Sequence, residues 1–217
     1  MLAFQHPSTI LIAGPTGCGK TRFVERVLTN GMIQPSPSKI VWVYGEWQPI
    51  YDHLQLMYGG RIEFSKGYTE SLYESFSPAV RNLLVLDDQM MSQARDSKDL
   101  ARLFTQGSHH RNLTVIYIIQ NLFDQGKAMR SISLNSHYLV LFKNPRDRGQ
   151  IRTLSQQMFP SGNKTSRSKF LIDAFEDATG GSPYGYLVID LKPDTPDRFR
   201  IRTRIFPEEL TAVYVQR

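Results

Sequence analysis

The chain has 217 residues, a formal net charge of +6, 41% hydrophobic and 21% charged residues. That length suits one sizeable α/β core and is short for two, and the composition excludes a disordered chain. No run approaches about 20 consecutive apolar residues, and the N-terminus lacks a basic region leading into a signal-peptide core, so a soluble intracellular protein with no membrane partner is expected. Its one cysteine, Cys18, excludes an internal disulfide framework and a cysteine-based zinc site.

Residues 9–21 organise the rest. An apolar run, Ile10 to Ala13, enters a glycine-rich turn and then a helical pattern, and Gly14 to Thr21 matches G-x-x-x-x-G-K-[ST] without a mismatch. This is the P-loop pattern. Gly14, Gly17 and Gly19 let the backbone curl until successive N–H groups converge on an anion, and the following helix adds the positive end of its dipole. The predicted nucleotide contacts are Gly14, Pro15, Thr16, Gly17, Cys18, Gly19, Lys20, Thr21 and Arg22. Lys20 is placed to reach the β- and γ-phosphates and the Thr21 hydroxyl to hold Mg2+, so ATP and Mg2+ are the expected ligands. Cys18 reads as a small filler, or as a thiol open to oxidation or alkylation beside the nucleotide.

Arg22 to Asn30 continues the helix as far as Gly31 and the Pro35/Pro37 loop. Lys39 to Tyr44 reads as a buried strand, Trp47 to Tyr58 as a helix stopped by Gly59-Gly60, Arg61 to Phe64 as a short strand and Thr69 to Phe76 as a helix. The alternation predicts a mostly parallel sheet covered by helices. Asn82 to Gln89 then presents four apolar residues ending in Asp87-Asp88, the Walker B pattern. Carboxylates at the C-terminal end of a buried parallel strand sit where ligands bind in open α/β sheets. Asp87 is expected to hold Mg2+, and Asp88 to position or deprotonate the attacking water.

Ser97 to Gly107 looks helical and leads to Ser108-His109-His110-Arg111-Asn112. Adjacent histidines do not converge on one metal, and no cysteine or nearby third histidine completes a zinc site. Leu113 to Gln120 is the strongest strand by β-branched and aromatic content, and Gln120 at its tip could hydrogen-bond the γ-phosphate or the lytic water. Lys127 to Asn135 reads as a helix, His137 to Phe142 as a strand, and Pro145 to Gln157 as a basic loop and helix. Between Lys143 and Lys169 seven basic residues face one acid, Asp147, a local excess that suits a polyanionic partner or a solvated face. Within it, Ser161 to Lys169 has the composition of a mobile loop, and Asn163-Lys164-Thr165-Ser166 lacks the aspartate of a guanine-reading element. Phe170 to Thr179 reads as a helix, followed by a terminal hairpin of Tyr184 to Leu191 and Phe199 to Phe206. There Arg198, Arg200, Arg202 and Arg204 alternate with other residues, so period two predicts all four on one face, either lining a DNA or subunit surface or facing solvent at a sheet edge. Residues 1–160 are read as the core, and 161–217 as an extension of the same domain.

The combination of Gly14–Thr21, Asp87-Asp88, the His109-His110-Arg111-Asn112 stretch and a strand ending in Ile119-Gln120-Asn121 resembles the FtsK/HerA branch of P-loop ATPases. Within it the chain looks like the genome-packaging ATPases of poxviruses, other large DNA viruses, virophages and the Maverick/Polinton elements, over roughly residues 8–145. The resemblance implies a RecA-like sheet in which the Gln120 strand lies between the P-loop and Walker B strands. It also implies a ring of five or six subunits that pumps double-stranded DNA into a capsid at the site of viral assembly. ATP would then sit between subunits, with a neighbour's arginine, Arg111 first and then Arg146 or Arg148, stabilising the transferred phosphoryl group. Many relatives carry Glu where this chain has Asp88. Two alternatives from other classes are a small P-loop kinase and a nucleotide-gated DNA-binding subunit.

Overall fold

The computed structural model describes residues 3–87, 100, 102–123, 127–147, 149–159 and 166–216. Asp88, Arg148 and residues 161–165 lie outside the described residues.

Nine strands form one sheet among the described residues. In chain order they are β2 (Thr9–Ala13), β4 (Lys39–Tyr44), β5 (Ile62–Lys66), β6 (Asn82–Asp87), β7 (Leu113–Ile119), β8 (Tyr138–Phe142), β9 (Tyr186–Asp190), β10 (Ile201–Thr203) and β11 (Ala212–Tyr214). Their spatial order is β11-β10-β9-β8-β2-β7-β6-β4-β5. From β8 to β5 every neighbouring pair is parallel. The Gln120 strand, β7, therefore lies between the P-loop strand β2 and the Walker B strand β6, as expected. Two short strands the sequence did not signal, β1 (Phe4–Gln5) and β3 (Ile33–Gln34), make a separate parallel pair.

β2, β6, β7 and β8 are apolar but for Thr9, Asn82, Asp87 and Thr114, and every residue in them is buried, as a sheet covered on both faces requires. Period two divides their side chains. Leu11, Leu84, Val115 and Leu139 project to one face. Helices α4 (Lys127–Leu134), α5 (Gly149–Met158) and α6 (Ser166–Gly180) cover it with Ile132, Leu154 and Leu171. Ile12, Val85, Ile118 and Val140 project to the other. There α1 (Lys20–Thr29) supplies Phe23, Val24 and Val27, and α2 (Pro49–Tyr58) supplies Tyr51 and Leu54. Pro49 opens α2 at a first-turn position where its missing N–H costs nothing, which delays the helix from the predicted Trp47.

The described helices depart from their predicted bounds where local chemistry changes. A short helix α3 spans only Glu70–Glu74. Residues Leu103–Gly107 form a π turn that runs into a helical turn at Ser108–His110, so the helical path extends past the predicted end at Gly107. Helix α6 begins at Ser166, so Ser166 to Lys169 is its first turn and not part of a loop.

The terminal hairpin is present but shorter than predicted, and it is not an appendage. β9 pairs antiparallel with β8 (Val140 opposite Val188), β10 with β9, and a third strand, β11, with β10. The four-arginine face is a correction. The strand geometry that period two requires holds only from Ile201 to Thr203. Arg202 is 3% exposed and paired at 3.4 Å with Asp190, which is also buried. Arg200 donates to the carbonyl oxygens of Asp190, Lys192 and Thr195. Arg204 follows the strand at φ 53°, and the Arg198 guanidinium lies 4.8 Å from the Phe199 ring centroid.

Candidate nucleotide site

At the end of β2 the Gly14 N–H donates to the Ile119 carbonyl at 3.2 Å, which ties the start of the loop to the end of β7. A Cβ on Gly14 would stand 2.6 Å from Phe142 Cβ and 2.7 Å from Cys18 Sγ, so only glycine fits. Gly19, at φ 99°, sits in the left-handed region and turns the chain into α1. The first turn of α1 carries no acid to oppose an anion. Lys20 arches back over the loop, its Nζ donating to the carbonyl oxygens of Gly14 at 2.6 Å and Pro15 at 2.9 Å. Cys18 is buried, and burial pushes its thiol pKa above the ordinary value. It therefore acts as filler under the loop, and the reading of an accessible redox handle is not supported.

Asp87 has the parity of Leu83 and Val85, which face α1 and α2, so period two sets its side of the sheet. Gln120 follows the end of β7 and lines the same cavity as Asp87. Asp87 lies opposite Ile118 and Ala13 opposite Ile119. Since β7 intervenes, the loop and Asp87 are two strand spacings apart, about 10 Å. Asp87 is 7% exposed, and the Tyr51 hydroxyl donates to its Oδ2 at 3.3 Å. Burial first, and then the Asp87 carboxylate, push the Tyr51 pKa well above that of an ordinary tyrosine, so Tyr51 stays a donor.

These groups converge on a cavity of about 740 Å³. Of the predicted residues, Thr16, Gly17, Gly19, Lys20, Thr21, Arg22, Asp87 and Gln120 line it. A buried strand-end carboxylate and a threonine hydroxyl facing one cavity are hard oxygen donors of the kind Mg2+ takes. Sequence reasoning missed Gln48, Tyr51, Phe142, Tyr184 and Tyr186. Tyr51 and Gln48, the latter at the N-cap of α2, reach the site because α2 packs Tyr51 on Trp42 of β4 and Phe64 of β5. Tyr184 and Tyr186 reach it because β9 pairs antiparallel with β8, a long-range pairing that no local pattern announces.

Arg111 does not join the site of its own chain. It precedes β7, whose far end carries Gln120, and seven strand residues span about 23 Å. Its guanidinium donates to the Phe76 carbonyl at 3.2 Å and lies 5.2 Å from the Tyr73 ring centroid. Arg146 is exposed on the turn that follows β8, at the sheet end that carries the loop.

The sheet order, the glycine loop at the end of β2 and the cavity beside it have the form of a P-loop nucleotide site. Comparison with known proteins adds relatives. No family model matches the chain. Packaging protein 1 of snake adenovirus serotype 1 is 28% identical over 181 residues, covering 70% of this chain and 39% of that protein. The chain thus spans about two fifths of the length of this curated relative. Among solved structures, the genome-packaging NTPase B204 of Sulfolobus turreted icosahedral virus 2, in complex with ATP-gammaS, superposes with a TM-score of 0.60 at 12% identity, over 91% of this chain and 96% of that one. B204 of Sulfolobus turreted icosahedral virus, a DNA-packaging ATPase, superposes with a TM-score of 0.56 at 11% identity over 100% of both chains. In sequence, then, the chain resembles an adenovirus packaging protein, and in fold it resembles the two B204 genome-packaging enzymes.

Proposed function

We propose that this chain is an ATP-hydrolysing motor subunit that moves double-stranded DNA into a viral capsid, working in a homo-oligomeric ring of five or six copies. The observation that carries the reading is the convergence of Lys20, Asp87 and Gln120 on one cavity, in a fold shared with two packaging ATPases. The backbone N–H groups of the glycine turn and the start of α1 bind the phosphates. Lys20 leaves its two carbonyl partners to neutralise the β- and γ-phosphates. Thr21 and Asp87 are the residues suited to hold Mg2+, which when bound would neutralise charge developing on the transferred group. Gln120 orients the attacking water, and Asp88 takes its proton.

In a ring, the neighbour's arginine completes the site. Arg146 is exposed at the nucleotide end of the sheet, whereas Arg111 is tied to its own Phe76 and Tyr73, so Arg146 is the better donor of the two. The basic excess between Lys143 and Lys169 suits contacts to DNA phosphates, which bind any sequence and weaken with salt.

The test is the steady-state ATPase rate over a range of protein concentration, with and without double-stranded DNA, beside Lys20→Ala and Asp88→Asn. A specific rate that rises with both protein and DNA and vanishes in both variants is expected. A rate independent of both, with phosphate passed to an acceptor other than water, would overturn the motor reading in favour of a monomeric kinase.

A further inference from the structure

The P-loop accounts for the phosphates of a nucleotide but not for its base. Phosphates held along Gly14–Thr21 leave the nucleoside to emerge past the end of the loop, where Thr21 and Arg22 lie in the first turn of α1. The cavity wall there is aromatic and comes from the start of β9 and the turn that leads into it: Tyr186 and Tyr184, with Phe142 at the end of β8 beside them. Two of these rings are already committed. Tyr186 is buried, donates its hydroxyl to Glu209 and accepts the Ile205 N–H, and it packs edge-on to Phe23 at 4.8 Å. Phe142 is buried and packs edge-on to Phe23 at 5.9 Å.

Tyr184 differs. It is 62% exposed, high for so large an aromatic side chain, and its ring borders the P-loop itself. A Cβ on Gly19 would stand 3.1 Å from Tyr184 Cδ1. The stem of the ring is also fixed. The Tyr184 N–H donates to Ser182 Oγ at 3.2 Å and the Gly185 N–H to the Ser182 carbonyl at 3.1 Å. Gly185 is pressed so closely on the end of α6 that a Cβ would meet the Ala178 carbonyl at 2.6 Å and Thr179 Cα at 2.9 Å.

We propose that the exposed face of Tyr184 is the stacking surface for the purine base of the bound nucleoside triphosphate. This deepens the nucleotide-site reading above and rests on it. Stacking on an aromatic face uses the π surface that every base presents and reads no base edge. The larger purine face gains most from it, and adenine and guanine gain alike.

The experiment is calorimetric titration of the full chain and of Tyr184→Ala and Tyr184→Phe with Mg2+ and either ATPγS or inorganic tripolyphosphate, which has the phosphates without the base. For Tyr184→Ala we expect ATPγS to bind about tenfold more weakly and tripolyphosphate to bind as before, with Tyr184→Phe within about twofold of wild type for both ligands. An equal loss for both ligands, or no loss for ATPγS, would overturn the stacking role and leave the phosphate site standing. Wild-type protein that fails to bind tripolyphosphate would overturn the phosphate-site reading, and the base subsite with it.

Discussion

The Tyr51 hydroxyl reaches across from α2 to donate to Asp87 at the tip of β6, a hydrogen bond of 3.3 Å between two side chains that are both nearly sealed from solvent. An ionised carboxylate in such a place needs a donor, and a neutral phenol supplies one without a competing positive charge. Tyr51 is therefore a positioning residue for the carboxylate proposed to hold Mg2+. Replacing Tyr51 with Phe should raise the Mg2+ concentration that half-activates ATP hydrolysis by about tenfold, with kcat at saturating Mg2+ within about twofold of wild type. Activation curves for the two proteins, measured side by side, check this. Superimposable curves would show that the Tyr51 hydroxyl does not aim Asp87.

A trans arginine has a signature in mixtures. Lys20→Ala subunits and Arg146→Ala subunits should each be inactive alone, because each lacks one half of every site. When the two are mixed, some interfaces pair an intact Lys20 with a neighbour's intact Arg146. ATPase activity should then return to a sizeable fraction of the wild-type rate as the mixing ratio approaches one to one. Arg146→Ala subunits that are active on their own, with Arg111→Ala inactive alone and recovering when mixed with Lys20→Ala, would give the role to Arg111.

The buried pair of Arg202 and Asp190 belongs to stability and not to DNA binding. Removing one partner leaves the other charged and desolvated, so Arg202→Ala should cost about 3–5 kcal/mol in denaturant unfolding. The joint change Arg202→Met with Asp190→Leu should recover most of that loss. Low-salt DNA affinity of the folded double variant should match wild type. A drop there would restore Arg202 to the nucleic-acid surface.

Alkaline pH should destabilise the chain through its buried phenols. Tyr51, Tyr138 and Tyr186 are buried, and burial raises the pKa of each, for Tyr138 to about 12. In the unfolded chain they ionise near 10. A raised folded value means stability is fully present below the unfolded pKa and is lost as pH rises from about 10 toward the folded values. Thermal midpoints should be level from pH 7 to 9 and fall above about pH 10. Absorbance at 295 nm should show that the folded protein titrates fewer tyrosines than the unfolded one. Full tyrosine titration in protein that is still folded at pH 10.5 would contradict the burial.

What was legible in the sequence is local chemistry with a fixed period. Gly14 to Thr21 announces its loop because glycine spacing and a lysine-threonine pair admit few other uses, and Asp87 announces itself because an apolar run ends in a carboxylate. The position of β7 between β2 and β6 came from the family resemblance, and the register confirms it. The four-arginine face failed for a physical reason. Period two holds only while the chain stays extended, and this strand lasts three residues before Arg204 turns to positive φ. Ser166 to Lys169 looked like loop because its side chains are polar, yet polar residues serve well in the first turn of a helix whose apolar face begins at Phe170 and Leu171. Tyr51 and Tyr184 could not be found from the sequence, since each meets the site through packing between distant elements.

The antiparallel run of β9, β10 and β11 also bears on solubility. β8 reads Tyr-Leu-Val-Leu-Phe, with no charge, no proline and no residue exposed, and β9 covers its outer hydrogen-bonding edge. A protein cut at residue 160 would present those five residues as a raw edge, with every free N–H and C=O ready to template another strand. Such a fragment would keep Lys20, Asp87 and Gln120 in its sequence and precipitate through β8 before their chemistry could be measured.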